Sequence, residues 1–173
     1  MKEDVGKTLS GWWRQALRPA EDSGAARALR ARLRRADALE VLAQPQVHDL
    51  VAHAPWLRYR ADALIRVVQV LAHVERNDPR SLARILGSGD PPAMSRPRFE
   101  RLARSQGDEL PRALRRAIDL TDGGCNVALL GRDVLDWDDP DRGEAIRRNW
   151  YFDYFNASRA AAATGAAPED VSQ

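Results

Sequence analysis

Apolar residues recur along most of this chain at intervals of three and four, the spacing of one helix face. Val5, Leu9, Trp12, Trp13, Ala16 and Leu17 share such a face, which predicts a first helix ending near Pro19. Its two tryptophans read as core anchors rather than a base-stacking platform. Ser23 is placed to cap a helix over about Ala25–Arg35, Asp37 a short one through Leu42, and Pro45 to open another through His53. The most apolar stretch, Leu57–Val74, predicts one central helix with Arg66, Gln69 and His73 on its polar side. Asn77-Asp78-Pro79 stops it, and a short helix Arg80–Leu86 follows, with Gly87 as an expected left-handed cap.

Gly87–Ala93, GSGDPPA, clusters glycine and proline without a periodic apolar residue. It is the expected hinge between two helical halves. Ser95 then caps a helix with Pro97 in its first turn, ended by Gly107. Asp108 caps the next, which runs to about Asp122. Asn126–Leu135 forms another, and Asp139-Pro140 opens a last helix through about Ala157. On that last helix Ile146, Trp150 and Tyr154 share one face while Tyr151, Phe152 and Phe155 point elsewhere, which suggests contact with two surroundings. No run alternates as a strand does. The expectation is an all-α fold of eight to nine helices in two small bundles, residues 1–87 and 95–157, joined by a hinge at 88–94. The alanine-rich tail 158–173 lacks a core-facing stripe and is expected to fray.

Composition narrows the function. The sequence is 44% hydrophobic and 30% charged, as in a folded water-facing protein. No apolar run suits a membrane span and the first residues lack the apolar core of a secretion signal, so a cytoplasmic protein is expected. The one cysteine, Cys125, allows neither an internal disulfide nor a cysteine zinc site, and its glycine neighbours suggest exposure. A net charge of +2 conceals strong segregation. Trp12–Arg35 carries seven arginines against Glu21 and Asp22, whereas Asp119–Glu144 has eight acids against Arg132 and Arg142.

The densest basic stretch is SRPRFERLARSQGDELPRALRRA, Ser95–Ala117, with seven arginines and three acids. In its first helix Phe99, Leu102 and Ala103 form the apolar arc, flanked by Arg98, Arg101 and Arg104. In its second, Arg112, Arg115 and Arg116 lie opposite Leu110, Ala113, Leu114, Ala117 and Ile118. Burying the apolar arcs leaves a band of guanidinium groups outside. Such a band is either a solvated face or a surface for a polyanion. Pairs at i, i+4, Arg115 with Asp119 and Glu100 with Arg104, are expected to neutralise part of it.

Other chemistry finds no support. His48 and His53 are five apart and do not share a face as metal ligands would, and His73 sits on a polar side. Asp133, Asp136, Asp138, Asp139 and Asp141 crowd before a helix, as ordinary caps do, with no second motif to complete a metal site. Gly87-Ser88-Gly89 lacks the spacing of a phosphate loop. The expectation is no catalytic residue, no metal and no cofactor.

Several stretches taken in order resemble one family. LSGWWRQAL, ALRARLRRADALEVLAQPQV, Gly87 followed by MSRPRFERLARS, then ELPRALRRAIDLTDGGCNVALLGRDVLDWDD and IRRNWYFDYF are similar to the CasB-type small subunit of the type I-E CRISPR surveillance complex, Cascade. The resemblance covers the chain to about Ala157. It implies a non-catalytic subunit that dimerises within the complex beside the other Cascade subunits. It also implies contacts with guide RNA and with target and non-target DNA strands, stabilising the R-loop without reading sequence. Carried onto this chain, the implied nucleic-acid contacts are Arg34, Arg35, Arg98, Arg101 and Arg104. Arg112, Arg115, Arg116, Arg132, Arg147 and Arg148 extend the track. The acidic WDDPD loop would repel DNA and is expected to face protein or solvent. A helical transcription regulator and a helical protein–protein adaptor are the alternative readings.

Overall fold

The structure, a computed structural model, describes residues 4–165. Ten α-helices follow one another: α1 (Val5–Trp12), α2 (Gly24–Leu33), α3 (Ala38–Leu42), α4 (Pro45–His53), α5 (Ala61–Leu71), α6 (Leu82–Leu86), α7 (Arg96–Arg104), α8 (Glu109–Asp119), α9 (Val127–Asp136) and α10 (Gly143–Gly165). The all-α class is borne out, with one α-helix more among the described residues than the upper expectation. The strand content among the described residues is a two-residue parallel pairing of β1 (Arg76–Asn77) with β2 (Gly124–Cys125). Two residues are too few to show a period, so periodicity did not reveal it.

Local chemistry sets most helix starts. Ser23 accepts from the Ala26 amide, Ser81 from Arg84 and Asn126 from Leu129, and Asp37 with Glu40 closes a full capping box. Ser95 and Asp108 occupy the expected cap positions of α7 and α8 but accept no cap hydrogen bond through their side chains. Beyond Trp12, α1 continues as a π turn over Trp13–Leu17, closed by Arg18 N–H donating to the Trp13 carbonyl at 2.8 Å. Both tryptophans are core anchors, with indole N–H groups donating to the Gln46 and Val74 carbonyls.

One expected helix is broken. Leu57–Val74 divides into a 3-10 turn, Pro55–Tyr59, and α5, with Arg60 between them at φ −128° and ψ 51°. The Arg60 guanidinium reaches the Asp136 carboxylate at 2.7 Å and the Leu135 carbonyl at 2.6 Å. A charge-assisted contact to the far end of α9 thus outweighs the propensity that would carry one helix through.

The halves on either side of 88–94 share one core. A single buried cluster runs from Leu9 through Leu71 and Phe99 to Tyr154. α1 and α5 lie against α9, where Gly131 lets Leu9 come close, and α6 lies against α10. Gly87 is helical, at φ −84°, rather than left-handed. Its role is close approach: a Cβ there would run into the Tyr154 carbonyl of α10. α10 also extends beyond Ala157, so 158–165 of the expected tail are helical and 166–173 lie outside the described residues.

Candidate nucleic-acid interface

The position of α7 follows from one side chain. Phe99, fully buried, stacks on Tyr154 at 4.1 Å between ring centroids and meets Tyr151 edge-on at 5.3 Å. Tyr154 is held in turn by its hydroxyl, which donates to the Met94 carbonyl at 2.6 Å. With Phe99, Leu102 and Ala103 inward, Arg98, Arg101 and Arg104 are left exposed. α8 does the same: Leu110, Leu114, Ala117 and Ile118 are buried, and Arg112, Arg115 and Arg116 face solvent.

Between the two helices Arg98 and Arg101 look across a cleft of about 260 Å³ at Arg112 and Arg116, over a floor that includes Leu102 and Ala113. One acid, Glu109, shares it. Among the described residues these four arginines enter no ion pair. Like charges gathered without partners repel one another, and a polyanion relieves that repulsion.

A second cleft, about 230 Å³, opens on another flank of α8. Arg34 and Arg35, just past α2, line it with His73, Glu75, Arg115 and Asp119. The Arg34 Nε–H donates to the Ala72 carbonyl at 2.8 Å. Burial first, then Arg30 and Arg115, lower its pKa, while Glu75 and Asp119 act the other way. Burial and the nearby guanidiniums of Arg34 and Arg115 push His73 down to about 4, so it is neutral at pH 7. α8 therefore carries arginines into both clefts and brings the two basic stretches of the sequence together. The helical pattern places His73 on a polar side, and nothing local to it signals these neighbours.

The remaining candidates are engaged with their own chain or stand apart. Arg104 is exposed but lines neither cleft. Arg132 is 3.5 Å from Asp133, Arg148 pairs with Glu144, and the half-buried Arg147 donates to the Trp137 carbonyl at 2.9 Å. Neither expected neutralising pair forms. Glu100 takes Arg96, at 2.9 Å, instead of Arg104, and Arg115 with Asp119 is not within ion-pair distance. The first departure exchanges one neutralised arginine for another, and the second leaves Arg115 without its expected partner.

The acidic segment is partly exposed, and several of its carboxylates are engaged with their own chain. Asp136 holds Arg60 and Arg142, Asp138 holds Arg66 at 2.8 Å, and Asp139 accepts from the amides of Asp141 and Arg142. Cys125 is buried rather than exposed, and burial pushes its thiol up to about 12. Among the described residues no group of three or more His, Cys, Asp or Glu is arranged to hold a metal, and no helix is long and apolar enough to cross a membrane.

Fold and clefts together define an all-helical protein whose distinctive surface is a set of unpaired arginines suited to a polyanion. The sequence profile of CRISPR-associated protein Cse2 matches residues 29–155, and the chain belongs to that family. The CRISPR-associated protein Cse2 of Thermus thermophilus is 29% identical over 118 residues, which cover 66% of this chain and 69% of that protein. A crystal structure of a Cse2-family CRISPR-associated protein from the same organism superposes with a TM-score of 0.69 at 25% identity, over 88% of this chain and 98% of the other. Crystalline CasB from Thermus thermophilus gives 0.65 at 25% identity over the same shares. A chain in the crystal structure of E. coli Cascade bound to a PAM-containing dsDNA target shares the fold, with a TM-score of 0.64 at 20% identity over 88% of this chain and 97% of that one. The CasB-type resemblance read from the sequence is thereby borne out.

Proposed function

We propose that this chain is the non-catalytic small subunit of a type I-E Cascade complex, acting in the cytoplasm as a dimer within that assembly. Its arginines grip phosphates of the guide RNA–target DNA duplex and of the displaced strand, stabilising the R-loop while base pairing supplies sequence specificity. The observation that carries this reading is the pair of arginine clefts sharing α8, with Arg98, Arg101, Arg112 and Arg116 unpaired in one and Arg34, Arg35 and Arg115 in the other. A guanidinium fork suits phosphate oxygens two at a time and carries no base preference when it stops at the backbone. Family membership supports the reading, and the exposed Phe152 of α10 offers a contact for another subunit.

A groove-reading regulator would display side chains that distinguish base edges. Within α7 and α8 the exposed polar residues are arginines and acids, and Ser105, which lines the cleft, is buried with its Oγ donating to the Arg101 carbonyl. The test is binding to several unrelated DNA sequences of one length at fixed salt. Affinities within a few-fold of each other are expected. A strong preference for one sequence would favour the regulator and overturn the proposal.

A further inference from the structure

His73 sits where three permanent cations converge. It lies two residues past α5 and faces Arg34 and Arg35 from just past α2, Arg115 and Asp119 from α8, and Glu75 from its own segment. Arg18 and Arg30 stand behind this group. Arg18 lies 3.8 Å from Glu75, and Arg30 is committed to Asp22 and the Leu17 carbonyl. Glu75 is thus shared with Arg18, and Asp119 alone faces Arg34, Arg35 and Arg115 without another partner within ion-pair distance. The Nε bond to the Ala72 carbonyl orients the Arg34 guanidinium and leaves its two terminal nitrogens open. The cleft holds more positive charge than its own carboxylates balance, and it is small.

We propose that this cleft is a seat for a single phosphodiester group of a nucleic-acid strand, gripped by Arg34, Arg35 and Arg115, and that His73 takes up a proton from solvent as the seat fills. The proposal rests on the phosphate-contact reading above and adds to it a residue, a stoichiometry and a pH dependence. In the empty cleft the surroundings hold the imidazole neutral, with burial the first cause and Arg34 and Arg115 the next. A neutral ring has one N–H to offer, a charged ring two. A phosphate adds a negative charge among the guanidiniums and an acceptor for an imidazolium N–H, and both favour the charged ring. Linkage then makes binding tighter as pH falls. Guanidinium groups as a class stay charged across this range.

The test uses the full-length chain and a short single-stranded oligothymidylate, with the histidine side-chain resonances followed by NMR from pH 8 to pH 4. His48 and His53 do not line the cleft and act as internal references. The His73 midpoint is expected to rise from about 4 in the free protein toward about 6 with oligonucleotide bound. Affinity is expected to gain about tenfold between pH 7 and pH 5, and His73→Gln to lose that gain. If the oligonucleotide binds and the His73 midpoint does not move, this seat is refuted and the phosphate-contact reading stands. If nothing binds, both fall. The NMR readout on the unaltered chain needs no variant to fold.

Discussion

Gly87→Ala is the substitution whose consequence the packing dictates most sharply. The added Cβ would overlap the Tyr154 carbonyl oxygen and lie 2.8 Å from its carbonyl carbon and 2.9 Å from its Cα. All three are backbone atoms of a long helix, so no rotamer change relieves the clash. α6 and α10 must move apart. That motion loosens the Tyr154 hydroxyl from the Met94 carbonyl, worth about 1 kcal/mol, and the Phe99–Tyr154 stack, worth about 0.5–1.5 kcal/mol. Overpacking adds about 1–3 kcal/mol. A loss of about 3 kcal/mol follows, which for a chain of this size lowers Tm by about 6–12 °C. Thermal and urea unfolding followed by circular dichroism measure it. Gly11→Ala is the control: nothing lies within 4 Å of a Cβ there, in the interior of the first helix, and a gain of about 0.5–1 kcal/mol is expected. Gly87→Ala melting with the unaltered chain would show that α6 and α10 are not packed as described. Because Tyr154 also seats Phe99, the same variant should weaken DNA binding by displacing α7.

Two further substitutions test the acidic segment. Asp136→Ala leaves Arg60 and Arg142 without their carboxylate and should cost about 2 kcal/mol in urea unfolding, less than a fully buried pair because both arginines reach solvent; an unchanged midpoint would show that the break at Arg60 does not depend on this contact. Burial raises the pKa of Asp133 above the usual 3.8, against the Trp150 N–H and Arg132, which lower it. The folded chain therefore holds this proton to higher pH than the unfolded one. Stability falls as pH rises from the ordinary carboxylate range through the raised folded value, and the penalty persists above it. Asp133→Asn keeps an acceptor for Trp150 and should flatten that part of the stability–pH curve; a curve parallel to that of the unaltered chain would contradict the assignment.

The helices were legible because each buries a stripe that the sequence writes at intervals of three and four. Their interruptions were not. Arg60 breaks a helix through a partner on α9, and Gly87 is required by a carbonyl on α10, so neither cause lies within reach of a local pattern. The arginine faces of α7 and α8 could be read from single-helix geometry. That the two helices set four arginines around one cleft, and that Arg34 and Arg35 arrive beside Arg115, is a product of tertiary packing. Ion pairing was the least legible feature. Spacing allowed Glu100 either Arg96 or Arg104 at four residues, and the side on which Phe155 lies under Arg96 is the side it took. Arg30, aligned with Arg27 and Arg34 along α2, is instead a buried strut to Leu17 and Asp22.

The central claim is that the cleft between α7 and α8 binds nucleic acid through phosphates. The direct measurement is DNA affinity from low to moderate salt, for the unaltered chain and for the variant in which Arg98, Arg101, Arg112 and Arg116 are all alanine. Each phosphate neutralised contributes about 0.7–0.9 to the slope of log affinity against log salt, so removing four contacts should reduce the slope by about three, equally for unrelated sequences. A variant that folds normally and keeps the full slope would contradict the account.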